Sequence, residues 1–160
     1  MNIENTIIIE RETIEHQVHL RNYYMGESAK RSNINADTIE SSNDEKELFG
    51  MFIQAACNEL VSSIAMRFES ASYNINDEYI SITFSSFNNS RQALLPQLRQ
   101  AVTDYLINEV TLQWLLLRNP QMANSYISLR TTLYNNVQQQ FAKFSNIKKV
   151  RRRSTDLAGI

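Results

Sequence analysis

The scarcity of glycine and proline is the feature that most constrains the fold of this chain. The sequence has three glycines and two prolines among 160 residues. Tight turns depend on these residues, so we expect few turns and long uninterrupted elements. Hydrophobic residues make up 42% of the chain, which is enough for one packed core in a single domain. These features favour a mainly α-helical fold over a many-stranded sandwich.

The first long helix is predicted over about residues 44–70. It follows Asp44 and Glu47, a pair that resembles a capping box. From Leu48 to Phe68 apolar residues recur every four positions, as on one face of a helix. Cys57, the only cysteine, lies on the flank of this stripe, and we interpret it as a small buried side chain. A single cysteine excludes an intrachain disulfide and a zinc site built from several thiolates.

Two further apolar stripes predict two more long helices. One stripe runs from Leu95 to Leu117 and the other from Met122 to Phe144, with Asn119-Pro120 between them. Asparagine is a good helix N-cap and proline fits the first helical position, so the last helix can begin at once. A joint this short predicts an antiparallel pair of helices.

A β-hairpin is predicted near residues 73–84, where the apolar spacing changes from helical to alternating. Ile80, Ile82 and Phe84 alternate with polar residues, and the chain turns near Asn76-Asp77. Residues 6–9 are β-branched and fit either a short strand or an arm. A hairpin alone is marginally stable, so it should pack on the helices or on another subunit.

We therefore expect an antiparallel bundle of three to four helices with one β-hairpin and extended terminal arms. Residues 1–43 form an acidic arm, a weakly amphipathic helix and a loop in this interpretation. Residues 44–144 form the helical core with the hairpin, and residues 145–160 form a basic C-terminal tail. The first fifty residues hold ten acidic and five basic side chains, whereas Lys148 to Arg153 is strongly basic. Ends of opposite charge suit contact with oppositely charged neighbours.

The sequence offers little for catalysis. His16 and His19 would share a helix face with Glu12, which is only a fragment of a metal site. The sequence has neither a glycine-rich phosphate loop nor a Gly-x-Ser-x-Gly elbow. No apolar run reaches the length needed to span a bilayer. We expect a protein that is not an enzyme, has no cofactor or metal, and does not bind a membrane.

From Ser90 onward the chain resembles head-to-tail connector (adaptor) proteins of tailed bacteriophages. A long helix ends in an aromatic and apolar cluster, Tyr105-Leu-Ile-Asn to Leu112-Gln-Trp-Leu, and Asn119-Pro120 follows. A second helix contains Tyr126-Ile-Ser-Leu-Arg and Leu133-Tyr-Asn-Asn-Val, and the basic tail comes last. The composition, rich in Asn, Ile and Ser, resembles that of crAss-like phages in particular.

The resemblance implies a virion structural protein, assembled in the host cytoplasm, that acts by contact between subunits. It implies a homo-oligomeric ring, of twelve copies, that meets the portal protein and neighbouring tail or ring proteins, with incidental contact to DNA in the channel. The tail would reach the portal and the hairpin would reach the next ring. The expected partner-binding residues are Lys148, Lys149, Arg151, Arg152, Arg153, Asn76, Asp77 and Tyr79. We assign Trp114, Leu115 and Leu116, where the helix is apolar nearly all round, to self-association.

Two other functions stay open at this point. A small nucleic-acid-binding regulator would use the basic tail and would bind with strong salt dependence that neutralising residues 148–153 removes. A pI of about 6.1 argues against it, since dedicated nucleic-acid binders are more basic overall. A metal-dependent enzyme would use His16 and His19, and it ranks below both other hypotheses.

Overall fold

The computed structural model describes residues 3–32, 41–86 and 89–145. These residues are mostly helical, with four helices and one small three-stranded antiparallel sheet, which confirms the mainly α fold class. The elements in chain order are β1 (Ile3–Glu10), α1 (Arg11–Arg31), α2 (Lys46–Ile64), β2 (Ala71–Ile75), β3 (Tyr79–Ser86), α3 (Leu95–Arg118) and α4 (Asn124–Ala142). Short 3₁₀ turns precede α2, α3 and α4, and one more extends α2 to Arg67.

Strand β3 lies at the centre of the sheet, with β1 on one side and β2 on the other. Both neighbours run antiparallel to it, and β1 pairs along its whole length, from Ile3 opposite Ser86 to Glu10 opposite Tyr79. Alternate side chains of a strand point to the same side of a sheet, and in this sheet one side is buried in the core. The buried apolar residues on this face are Ile7, Ile9, Ile80, Ile82 and Phe84.

The expectation of an extended N-terminal arm is wrong for the described residues. Residues 3–10 form an edge strand of the sheet, and Ile7 and Ile9 are buried in the core. Three consecutive isoleucines hide the alternation in the sequence, because Ile8 between them points outward and is exposed. The basic tail at residues 146–160 lies outside the described residues.

Helix α3 is the central element of the core, since it packs against the other three helices and against β1. Every residue from Tyr105 to Leu112 is buried, including the polar Asn108, Glu109 and Thr111. A helix surrounded on all sides is apolar nearly all round, which accounts for the composition of its second half. Polar side chains at such positions need internal partners. The amide of Asn108 donates to the carbonyl oxygen of Tyr126 at 3.2 Å, and the hydroxyl of Thr111 donates to that of Ile107 at 2.7 Å.

A cluster of phenylalanines joins the sheet to the helices. The ring of Phe84 on β3 lies 4.9 Å from that of Phe68, 5.2 Å from that of Phe141 and 5.4 Å from that of Phe144. The last two interplanar angles, 77° and 83°, are edge-to-face arrangements that aromatic rings prefer. The cluster fixes the end of α4, and therefore the start of the basic tail, beside the Ser86 end of β3.

Helix α2 buries its apolar stripe in this core and places Cys57 there, as expected of a small buried side chain. Burial raises the pKa of the Cys57 thiol to about 12. Among the described residues, Lys46–Arg67 is the one helical stretch long and apolar enough to cross a membrane. This is weak support for a span, because a core helix of a globular protein meets the same criterion. Polar residues interrupt the apolar ones in Lys46–Arg67, so no continuous apolar run marks this stretch in the sequence.

Candidate partner-binding site

Of the residues expected to bind a partner, Asn76 and Asp77 lie in the turn between β2 and β3, and Tyr79 is the first residue of β3. The side-chain oxygen of Asn76 accepts hydrogen bonds from the backbone N–H groups of Glu78 (2.9 Å) and Tyr79 (2.6 Å). Asn76 therefore shapes the turn, as asparagine side chains commonly do. Asp77 and Tyr79 are exposed and remain accessible to another molecule.

Arg11 fixes this turn relative to the starts of α1 and α2. Its side chain is 10% exposed, and Nε donates to Oε1 of Glu15 at 2.7 Å. Nη2 donates to the carbonyl oxygen of Lys46 at 3.0 Å, and the backbone N–H of Arg11 donates to the carbonyl of Glu78 at 2.8 Å. Three separate chain segments are thus tied to one residue.

Gly50 makes room for the Arg11 side chain. A Cβ atom at position 50 would lie 2.7 Å from Nη2 of Arg11, closer than such atoms approach. Sequence reasoning missed this contact, although a glycine inside a strong helical stripe is a signal that some group comes close to the backbone.

An acidic cleft of about 780 Å³ opens between the start of α1, the start of α2 and the β2–β3 turn. Five carboxylates and one ammonium group line it, which gives the cleft a negative potential. Arg11 neutralises Glu15, whereas the other four carboxylates form no ion pair with any residue that the structure describes. The lining residues are Glu10, Glu12, Glu15, His16, His19, Lys46, Asp77, Glu78 and Tyr79.

The two histidines of the suggested metal fragment both line the acidic cleft. Nδ1 of His19 lies 2.7 Å from the hydroxyl of Ser41, which also accepts a hydrogen bond from Asn22 at 3.0 Å. The imidazole also packs against the ring of Phe49 at 5.1 Å. Within the described ranges, no group of three or more His, Cys, Asp or Glu residues is arranged to hold a metal ion. His19 serves instead to hold the start of α2 against α1.

The residues assigned to self-association at the end of α3 separate into core and surface. Trp114 is 1% exposed and Leu115 is not exposed, so both belong to the core rather than to a contact surface. Trp114 packs edge-to-face on Phe49 at 5.6 Å, and the guanidinium of Arg118 lies 4.7 Å from the indole. Leu116 is 41% exposed and is therefore accessible to another molecule. Leu117, which was not selected, is 61% exposed beside it.

Glu109, a carboxylate in the core, is held by two partners, Arg130 and Gln113. Its Oε2 accepts from Nε of Arg130 at 2.8 Å, and its Oε1 accepts from Gln113 at 3.0 Å. Nη2 of Arg130 donates to Glu59 at 2.8 Å, so the network joins α2, α3 and α4. Burial lowers the pKa of Arg130, but the charges of Glu109 and Glu59 outweigh it and the pKa is raised. Burial, and then the same two carboxylates, raise the pKa of Tyr105.

The basic residues expected to bind a partner, Lys148, Lys149, Arg151, Arg152 and Arg153, lie outside the described residues. The chain reaches them after Ser145, next to Phe144, whose ring packs on Phe84. The acidic cleft lies at the other end of β3, at Tyr79. Phe84 is five steps along the strand from Tyr79, which is about 17 Å.

Comparison with known proteins does not identify a relative of this chain. No protein-family model, no curated protein and no solved structure matches it. The function has therefore to be inferred from the residues of the chain and their geometry.

Proposed function

We propose that the protein is a structural subunit of a head-to-tail connector ring, a portal adaptor or tail ring, in a tailed phage. It acts by contact between subunits and with the portal and neighbouring ring proteins, not by catalysis. In this proposal it assembles in the host cytoplasm, as a ring of twelve copies, and becomes part of the virion. The observation that carries the proposal is that the acidic cleft lies at one end of the sheet, whereas Phe144, from which the chain continues toward the basic segment, packs at the other.

Polarity of this kind supports a ring because complementary ends allow each copy to meet the next in the same orientation. Such head-to-tail contacts are heterologous, and they close into a ring when the rotation between copies permits. Charge complementarity mainly sets the orientation and rate of association, whereas apolar contacts supply much of the affinity.

Exposed apolar side chains are a second observation that supports the proposal. Leu116 and Leu117 are adjacent and exposed at the end of α3. Tyr23 and Tyr24 are both exposed on α1, and their rings lie 5.7 Å apart. Single exposed apolar residues are ordinary on protein surfaces, but aromatic residues are enriched at interfaces. These pairs are the positions we assign to contacts with neighbouring subunits.

The proposal also assigns roles to the β2–β3 hairpin and to the pair of helices α3 and α4. We take β2 and β3 as the hairpin that reaches the next ring, because they are antiparallel neighbours joined by residues 76–78. We take α3 and α4 as an antiparallel pair within a bundle. Contacts of Tyr105 with Tyr134 and of Glu109 with Arg130 support this, since the partners run in opposite order along the two helices.

The test is to locate the chain in particles and to image it alone. Antibodies raised against the purified protein, coupled to gold, should label the head–tail junction of tailed particles from the same source. Electron microscopy of the purified chain should show rings with rotational symmetry. Particles without label, together with a monomer that binds duplex DNA in a strongly salt-dependent way, would instead establish the nucleic-acid-binding regulator.

A further inference from the structure

We propose that the acidic cleft of one copy binds the basic segment Lys148 to Arg153 of the neighbouring copy. The inference deepens the proposed function and rests on its claim that copies associate. It assigns the contact between copies to defined residues on both sides. The segment carries five basic side chains in six positions, the densest positive charge in the sequence.

The cleft carries negative charge that the fold itself does not neutralise. Glu10, Glu12, Asp77 and Glu78 line it and form no ion pair with the residues that the structure describes. Carboxylates bind guanidinium groups through short, charge-assisted and often bidentate hydrogen bonds. Arginine, which supplies three of the five basic residues of the segment, is the better partner for such geometry.

The walls of the cleft are held in place before any partner arrives. Arg11 ties the first turn of α1 to the carbonyl of Lys46 on α2 and to Glu15. Its backbone N–H is bonded to Glu78, so the β2–β3 turn is fixed to the same point. A preformed site loses less conformational entropy on binding than one that has to be ordered.

The positions of the cleft and the segment favour binding between copies over binding within one copy. The described chain ends at Ser145 near the Ser86 end of the sheet, and the cleft lies about 17 Å away at the Tyr79 end. Arg153 is eight residues beyond Ser145 and reaches at most about 29 Å. Within one copy the segment would have to run back along the sheet, whereas a copy placed head-to-tail presents its cleft directly.

The experiment uses complementary charge reversals in the full chain. One variant carries Asp77→Lys and Glu78→Lys in the cleft, and a second carries Arg151→Glu, Arg152→Glu and Arg153→Glu in the segment. A matched control, Glu4→Lys with Glu27→Lys, makes the same charge change outside the cleft, at the exposed Glu4 and at the partly exposed Glu27 of an ion pair with Lys30. Circular dichroism verifies that each variant is folded, and sedimentation velocity measures association at low and high ionic strength.

We expect the wild type and the control to associate, and each reversal alone to weaken association at least about tenfold. An equimolar mixture of the two reversed chains should associate again, because each cleft then meets a segment of opposite charge on the other chain. Binding within one copy cannot be restored by mixing, so folded variants whose mixture stays unassociated overturn the inference. Reversed chains that associate like the wild type also overturn it, and gold label at the head–tail junction would then leave the proposed function standing. A wild-type chain that stays monomeric under all conditions overturns the inference as well, and the same label again decides the proposed function.

Discussion

Glu109 and the carboxylates of the acidic cleft lie in opposite environments in this protein. Glu109 is 4% exposed, and it receives hydrogen bonds from Arg130 and Gln113. The carboxylates of the acidic cleft, such as Glu12 and Asp77, are exposed and form no ion pair with the described residues. The first carboxylate is a structural element, since a buried charge without partners is strongly unfavourable. We expect the cleft carboxylates, which lack such partners among the described residues, to contribute little to the fold and to be accessible to a partner.

Removing the partner of the buried carboxylate should have the largest effect on stability. Arg130→Ala leaves Glu109 with Gln113 alone. We expect the free energy of unfolding to fall by about 2 kcal/mol, less than for a fully buried pair because the Arg130 side chain is 37% exposed. Glu59→Ala removes only the exposed end of the same network and should cost less than about 1 kcal/mol. Urea unfolding of both variants measures the difference. Equal losses for the two would show that Glu109 does not depend on Arg130.

The second largest effect on stability should come from Gly50→Ala. Gly50 makes room for the Arg11 side chain, which fixes the walls of the cleft. Alanine favours a helix over glycine by about 1 kcal/mol, but its Cβ would displace the Arg11 guanidinium. We expect a net loss of about 1–2 kcal/mol, because a buried charged side chain is moved from its partners. In an Arg11→Ala background the same change should become stabilising. Thermal unfolding of the four chains tests this, and a loss that persists without Arg11 would contradict the steric cause.

The sequence predicted the helices of the core because their signal is local. The stripe from Leu48 to Phe68 placed a helix over about 44–70, and α2 with its 3₁₀ extension spans Lys46 to Arg67. The stripes after Leu95 and Met122 placed α3 and α4 in the same way. In each case the apolar side chains that define the helix lie within a few turns of one another along the chain.

The parts that sequence reasoning missed depend on residues far apart in the chain. The pairing of β1 with β3 joins residues more than 60 positions apart, so residues 6–9 fitted an arm as well as a strand. An apolar run such as 112–117 fits either a core or an interface. The packing of Phe49 on Trp114 places that side chain in the core, whereas Leu116 and Leu117 stay exposed. The acidic cleft is assembled from three segments that are far apart in the sequence, so no local pattern marks it.

Glu45 is partly buried, between Glu109 and the cleft carboxylates in exposure. Its contribution to the free energy of unfolding should depend on pH. Burial raises its pKa, but hydrogen bonds with Ser42 and the charge of Arg118 outweigh this, so the pKa is lowered from 4.5. A carboxyl whose pKa is lowered by folding stabilises the protein above its ordinary pKa, and this is lost as the pH falls through the folded value. Ser42→Ala should cost about 1 kcal/mol at neutral pH, and the difference from the wild type should shrink below about pH 4.5. Ser128→Ala, on the exposed side of α4, is the control and should show no such pH dependence.

The smallest effect on stability should come from the acidic cleft itself. Asp77→Asn with Glu78→Gln keeps the shape of both side chains and removes two charges that no described residue neutralises. We expect the free energy of unfolding to change by less than about 0.5 kcal/mol, with a small gain at low ionic strength where like charges repel most strongly. Urea unfolding at low and high salt measures both quantities. A loss above about 1 kcal/mol would mean that these carboxylates serve the fold, as Glu109 does, and the contrast between the two groups would disappear.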